Sequence, residues 1–202
     1  MDRVHPRILC IAGSPRRSGN SEQLLQACAH GIAEAGGVSD LLPVAERDVR
    51  PCTGCGTCSV SGSCVIRDDM VSIYSRIDEA DAIAVASPVY FATVPAQLKA
   101  LYDRCQPYWA RARLSGAKPL AVADRRPGAL LLVRAGGDPF GFDAAVTTTR
   151  SVFAVLGVSY AQDILVAGPD EAGDILRYPD ALEGARALGE RLVRTVAAQR
   201  RD

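Results

Sequence analysis

The stretch Arg7-Ile8-Leu9-Cys10-Ile11-Ala12-Gly13-Ser14-Pro15-Arg16-Arg17-Ser18-Gly19-Asn20-Ser21-Glu22-Gln23-Leu24-Leu25 decides how this chain is read. Ile8 to Ala12 is a short, continuously apolar run, the pattern of a strand covered on both faces. Gly13 to Ser21 is a loop of Gly, Ser, Pro, Arg and Asn. From Leu24 on, Leu24, Leu25, Cys28 and Ile32 share one helical face, and Gly36-Gly37 ends the helix.

Apolar runs and helical periods keep alternating along the rest of the chain. Ser39 to Ala45 reads as a weaker second strand, followed by a cysteine-rich loop over residues 46–69. Asp68 is placed to cap a helix that turns Met70, Ile73, Tyr74 and Ile77 inward. Ala82 to Ala86 is a third strand, and Val94, Leu98, Leu101, Tyr102, Cys105 and Trp109 mark one helix after it. Ala129 to Val133 and Tyr160 to Ala167 are the fourth and fifth strands. Val146, Thr149, Phe153 and Leu156 mark the helix between them, and Leu182, Ala185, Leu188, Leu192 and Val196 mark the last. Pro107 to Gly128 reads as a loop-rich insertion with a short extra strand at Leu120 to Ala123. Strands alternating with helices predict right-handed crossovers and a doubly wound parallel sheet. The whole chain, 1–202, is read as one domain.

Composition narrows the function. The chain has 202 residues, 48% of them hydrophobic, and its net charge is zero. Nothing in that balance attracts a nucleic acid, and the arginines near the end (Arg186, Arg191, Arg194, Arg200, Arg201) read as a solvated helix face. No run is long enough for a membrane span. Seven cysteines, four of them in one loop, fit a reducing cytoplasm better than a secreted disulfide scaffold. Cys10, Cys28 and Cys105 sit in apolar patterns and are expected in the core. His5 and His30 lie outside every candidate loop, and no residue reads as a general acid or base.

The Gly13–Ser21 loop is neither a G-x-G-x-x-G fingerprint nor a Walker loop. It offers what a terminal phosphate needs. Ser14, Ser18, Asn20 and Ser21 carry polar side chains, Arg16 adds a counter-charge, and backbone N–H groups open at the helix start. The alternative is a polar turn with an N-cap serine.

Cys52-Thr53-Gly54-Cys55-Gly56-Thr57-Cys58-Ser59-Val60-Ser61-Gly62-Ser63-Cys64 packs four cysteines into thirteen residues. The C-x2-C-x2-C-x5-C spacing suits Cys52, Cys55, Cys58 and Cys64 as ligands of a single [4Fe–4S] cluster. A zinc site, a redox disulfide and an inert loop are the alternatives.

With these blocks in place, the chain resembles the flavodoxin-like superfamily of NAD(P)H-dependent FMN reductases, and more closely the iron–sulfur flavoproteins. The resemblance runs from Arg7 to about Gly168 on GSPRRSGNSEQLL, PCTGCGTCSVSGSCVIRDDM and SPVYFATVPAQLKALYDR. It implies a sheet of order 2-1-3-4-5 with the cysteine-rich loop after strand 2. It implies an FMN phosphate on Ser14, Arg16, Ser18, Asn20 and Ser21, and an isoalloxazine ring on Pro88, Val89, Tyr90 and Phe91. Gly136 and Gly137 would supply a third flavin loop. Lys99 and Asp103 match the following helix, where they are expected to fix the helix rather than to react. The cysteine block resembles the motif that holds a [4Fe–4S] cluster.

The expected function is that of a cytoplasmic, FMN-dependent oxidoreductase with such a cluster. It would pass electrons between a one-electron donor and a small acceptor, with ferredoxin or NAD(P)H as the donor. Three alternatives remain: an NAD(P)H-dependent FMN or quinone reductase without a cluster, a non-enzymatic carrier, and a zinc-stabilised interaction protein. The resemblance also implies a homodimer or homotetramer, with Tyr108 or Trp109 expected under a partner subunit.

Overall fold

The computed structural model describes residues 5–116, 120–137 and 139–201. Five parallel strands lie in the order β2-β1-β3-β4-β5. They are β1 (Arg7–Ala12), β2 (Val38–Pro43), β3 (Ala82–Pro88), β4 (Arg126–Ala135) and β5 (Val158–Gly168). The helices are α1 (Asn20–Glu34), α2 (Cys58–Ser61), α3 (Met70–Glu79), α4 (Ala96–Asp103), α5 (Gln106–Ser115), α6 (Asp143–Val155) and α7 (Pro179–Gln199). The expected doubly wound order is the observed one.

The continuous apolar strands split their side chains between two cores, as a period of two requires. Leu9, Ile11, Ile83, Val85, Leu130 and Leu132 face α3, α4 and α6. Ile8, Cys10, Ala82, Ala84, Ala129 and Leu131 face α1 and α7. Cys10, Cys28 and Cys105 are buried, and burial pushes the Cys28 and Cys105 thiols up to about 12. They are inert core residues.

Helices α1 and α7 cross at backbone contact. A Cβ on Gly31 would sit 1.9 Å from the Arg186 carbonyl oxygen, and one on Gly189 would sit 2.0 Å from that of Cys28. Arg186 pairs with Glu34 at 2.6 Å across the same crossing.

Three expectations change. The helix marked by Val94 to Trp109 is two helices, because Pro107 at the start of α5 cannot continue α4 through the carbonyl it would clash with. The break lets α5 take a new direction and leaves Trp109 43% exposed instead of facing inward. The Pro107–Gly128 insertion is helical as far as Ser115. Within it, Leu120 to Ala123 is no strand: it pairs with none of the five strands, and Val122–Asp124 is a single 3-10 turn. Pro119, within the expected loop-rich insertion, lies outside the described residues.

Gly31→Ala tests the crossing. Alanine should gain about 1 kcal/mol of helix propensity, but overpacking against a carbonyl should cost about 3 kcal/mol. Denaturant unfolding is expected to show net destabilisation near 2 kcal/mol.

Candidate functional site

All five strands point their carboxyl ends to one rim, and the loops leaving β1, β3, β4 and β5 meet there. Gly13 closes the first junction: its N–H donates to the Ala86 carbonyl at 2.8 Å. A Cβ on it would lie 2.5 Å from Leu98 Cδ2, so the loop after β1 sits hard against the start of α4.

Two adjoining cavities follow the rim. The first, about 210 Å³, is lined by Ser14, Arg16, Gly19, Asn20 and Ser21 on one side and by Pro88, Val89 and Tyr90 on another. Arg134 and Asp170 help to close it. The second, about 480 Å³, continues over Val89, Tyr90 and Phe91 to Ala135, Gly136 and Phe140. Most of the expected flavin residues are thus brought together.

Two of them are not at the cavities. Ser18 has φ +55 and donates its N–H to Glu22 Oε2 at 2.6 Å, so it shapes the loop. Gly137, with φ +86, lies one residue beyond the lining. Asn20 lines the first cavity, but its side chain is committed to the loop after β5. It donates to the Glu171 carbonyl at 2.9 Å and accepts from the N–H groups of Gly173 and Ile175. That loop supplies Pro169, Asp170 and Ala172 to the cavity. The family resemblance runs only to about Gly168 and does not include these residues. The available signal was positional, because a loop following a parallel strand must emerge on this rim.

The donor set suits a phosphate. Residue Gly19 is the N-cap of α1 and brings no side-chain cap, so the N–H groups of the first turn are open. Ser14 forms a tight turn, its Oγ accepting from Arg16 N–H and donating to Arg16 O, both at 3.0 Å. Arg16 forms no ion pair among the described residues, while Arg17 pairs with Glu46 at 3.0 Å.

The ring side is held in a strained turn. Tyr90 and Thr93 exchange N–H···O bonds of 2.8 and 3.1 Å. Phe91 and Ala92 between them have φ +49 and +64, a conformation that costs non-glycine residues about 1 kcal/mol or more each. The result is a fully exposed Phe91 ring at the cavity mouth. Lys99 and Asp103 pair with each other at 2.7 Å along α4, as expected of residues that fix the helix.

The cysteine loop forms a separate cavity of about 280 Å³, lined by Cys52, Cys55, Cys58 and Cys64 together with Asp103, Arg104 and Gln106. Gly54, Gly56 and Gly62 all have positive φ, which lets the loop curl. All four thiols are free, and among the described residues no three cysteine, histidine or acidic groups converge closely enough to hold a single metal ion. Cys55 Sγ lies 3.5 Å from the Thr57 hydroxyl, and hydrogen bonds from Thr57 hold this thiol below its ordinary value.

Arg104 anchors this loop, and nothing in the local pattern announced it. It is 1% exposed. Its Nη1 donates to Asp68 Oδ2 at 2.6 Å and to the Arg50 carbonyl at 2.8 Å. Its Nη2 donates to Asp68 Oδ1 at 3.1 Å and to the Ile66 carbonyl at 3.3 Å. Asp68 also accepts from the N–H groups of Arg50 and Met70. Burial opposes its charge, yet the Arg104 guanidinium and these N–H groups bring its carboxyl below the usual aspartate value. Asp68 is the expected cap of α3, but the N-cap is Asp69; Asp68 stands one residue earlier, and one of its four bonds, from Met70 N–H, reaches the helix start.

Tyr108 is committed within the chain, donating to Asp78 at 2.8 Å and packing edge-on against Tyr74. Trp109 carries Arg113 over its ring and borders an open hollow of about 580 Å³ between α4, α5 and α6.

Comparison with known proteins agrees with this geometry. The model of the NADPH-dependent FMN reductase family matches residues 6–172. An iron-sulfur flavoprotein of Archaeoglobus fulgidus is 33% identical over 183 residues, covering 90% of this chain and 76% of that protein. An iron-sulfur flavoprotein of Methanosarcina thermophila is 44% identical over 98 residues, about half of each chain (48% and 51%). Among solved structures, an NAD(P)H:quinone oxidoreductase from Methanothermobacter marburgensis superposes with a TM-score of 0.66 at 19% identity, over 94% of this chain and 100% of that one. A flavodoxin from the domain Archaea superposes with a TM-score of 0.54 at 13% identity, over 95% and 99% of the two chains. Among the described residues no helix is long and apolar enough to cross a membrane.

Asp68→Asn should leave the Arg104 charge buried without its carboxylate, at a cost of about 3–5 kcal/mol in denaturant unfolding at pH 7. A depressed carboxyl pKa stabilises above the ordinary aspartate range and loses that stabilisation as pH falls through it. The stability of the variant should therefore fall less steeply with acid than that of the wild type.

Proposed function

The chain belongs to the NADPH-dependent FMN reductase family and is an FMN-dependent oxidoreductase, and from that premise we propose that it binds FMN along the two rim cavities and a [4Fe–4S] cluster in the cysteine cavity. The observation that carries the reading is the lining of these cavities. One rim holds a phosphate-sized cradle continuous with a ring-sized slot, and four cysteines line one hollow beside it. Bound FMN would supply both two-electron and one-electron chemistry, and a cluster single-electron transfer.

The chain's own residues have plain tasks in this reading. The first turn of α1, Ser14 and Ser21 hold the phosphate, and Arg16 neutralises it. Val89, Tyr90, Phe91 and Gly136 bound the ring and exclude water from one side. Electrons pass between a ferredoxin or NAD(P)H donor and a small-molecule acceptor. The protein works as a homodimer or homotetramer, and Trp109, exposed in the single chain, is the aromatic residue for a partner to cover. Tyr108 is already committed within the chain.

The second reading is an NAD(P)H-dependent FMN or quinone reductase that holds no cluster. That the four thiols do not converge on one point among the described residues argues against a single zinc ion and does not separate these two readings, because the thiolates of a cubane bind four different irons.

Two experiments decide. Heat-released flavin should run as FMN, and Arg16→Ala should weaken its binding by about 2 kcal/mol, roughly thirty-fold in Kd. FAD as the main species would overturn the site. Anaerobically purified wild type should carry four irons and four acid-labile sulfides per chain, and Cys55→Ala should lose them while keeping FMN. Protein with flavin and no iron or sulfide after reconstitution would establish the second reading.

A further inference from the structure

Arg104 has five N–H donors in a rigid plane. The four on Nη1 and Nη2 are committed to Arg50 O, Ile66 O and both oxygens of Asp68. Arg50 lies two residues before Cys52, and Ile66 two residues after Cys64. The fork therefore ties together the two ends of the cysteine loop. The fifth donor, Nε–H, is buried and has no partner among the described residues. Buried donors without acceptors are rare in folded proteins, and each asks for an explanation.

Two observations say where its acceptor belongs. Arg104 borders the cavity lined by the four cysteines. Its Nη2, which shares an edge of the guanidinium plane with Nε, donates to the carbonyl of Ile66, two residues after Cys64, and Cys64, Ile66 and Arg104 line the same cavity. Because the guanidinium is planar, fixing the Nη groups fixes the direction of Nε–H. Its direction does not depend on what occupies the cavity.

We propose that Arg104 is a positioning residue of the cysteine centre: its Nη groups clasp the loop around the cavity, and its Nε–H donates to a sulfur of the bound cluster. The proposal rests on the cluster reading above. A donor aimed at sulfur stabilises the more negative, reduced state of a cluster, so it raises the reduction potential.

Arg104→Lys keeps the charge beside Asp68 and removes both the fork and Nε–H. The reconstituted variant should keep FMN and four irons, which shows that it is folded and loaded. Its cluster should shift at least tenfold toward the oxidised form, about 59 mV lower in a one-electron titration. The wild type supplies a check that needs no variant. Protein labelled with 15N in the arginine guanidinium alone should show a 15N coupling to the reduced cluster by pulsed electron paramagnetic resonance. If the wild type binds no iron and sulfide, the cluster reading and this proposal fall together. If it binds a cluster but shows no guanidinium coupling, and the Lys variant, where it folds, titrates at the same potential, the role of Arg104 alone is overturned.

Discussion

A parallel strand cannot return to its neighbour through a tight turn; the chain must cross the sheet and come back, usually as a helix. Five parallel strands therefore place every loop that follows a strand on one edge. In this protein that edge gathers segments as distant as Ser14 and Asp170 around one cavity. The strand order reverses between β1 and β3, and the gap between their loops is where such sheets take ligands. The site is thus a consequence of topology first and of side chains second. In the proposed FMN reading the side chains then specialise it: the open N–H groups and Arg16 would take negative charge, and the Tyr90–Thr93 turn would bound a flat ring. The strain at Phe91 and Ala92 is affordable because Tyr90 and Thr93 lock the turn from both sides.

The cysteine loop faces a different problem. Residues 50–68 contain little that could form a core: Cys52, Cys55 and Val60 are exposed. The loop cannot be held by hydrophobic burial, and it is held by an ion pair. Desolvating a carboxylate and a guanidinium costs several kcal/mol for each ion. Here that cost is offset by six hydrogen bonds, four from the guanidinium and two from N–H groups to Asp68, with the Arg50 guanidinium a further 3.8 Å away. A hydrophobic pair of the same volume could match the stability, but it could not hold two loop ends by their carbonyl groups. Specific positioning is what the charged pair adds.

What could be read from the sequence follows from how local each signal is. Ile8 to Ala12 and the Leu24–Ile32 face gave a strand and a helix because period and burial are written into consecutive residues. Gly54, Gly56 and Gly62 could be read as a curling loop for the same reason. Arg104 could not. It stands at the end of ALYDR, on a helix with an ordinary apolar face, and its partners lie 36 and more positions earlier. An arginine is normally solvated, and only the three-dimensional meeting of α4 with the loop makes this one buried. Pro107 shows the opposite failure. The local sign of a helix break is present, but the apolar positions at Cys105 and Trp109 keep the helical period across it and mask the break. The contribution of Pro169 to Ala172 was hidden because these residues carry no pattern of their own and are brought to the cavity by Asn20, some 150 residues away.

The two candidate centres are not independent within the chain. Helix α4 begins three residues after the Tyr90–Thr93 turn that walls the ring slot, and it ends at Asp103, beside the arginine that walls the cysteine cavity. Eight residues at the helical rise span about 12 Å, so α4 acts as a short strut between them. Its buried face, Leu98, Leu101 and Tyr102, seats it on the sheet, and the Lys99–Asp103 pair braces its exposed side. Its near end is pinned where Leu98 meets Gly13, and its far end where Tyr74 donates to the Arg104 carbonyl at 2.6 Å. A strut fixed at both ends sets the spacing of the two cavities without a direct contact between them. That is the arrangement electron exchange between two bound groups would require: a constant separation that does not depend on either surface loop.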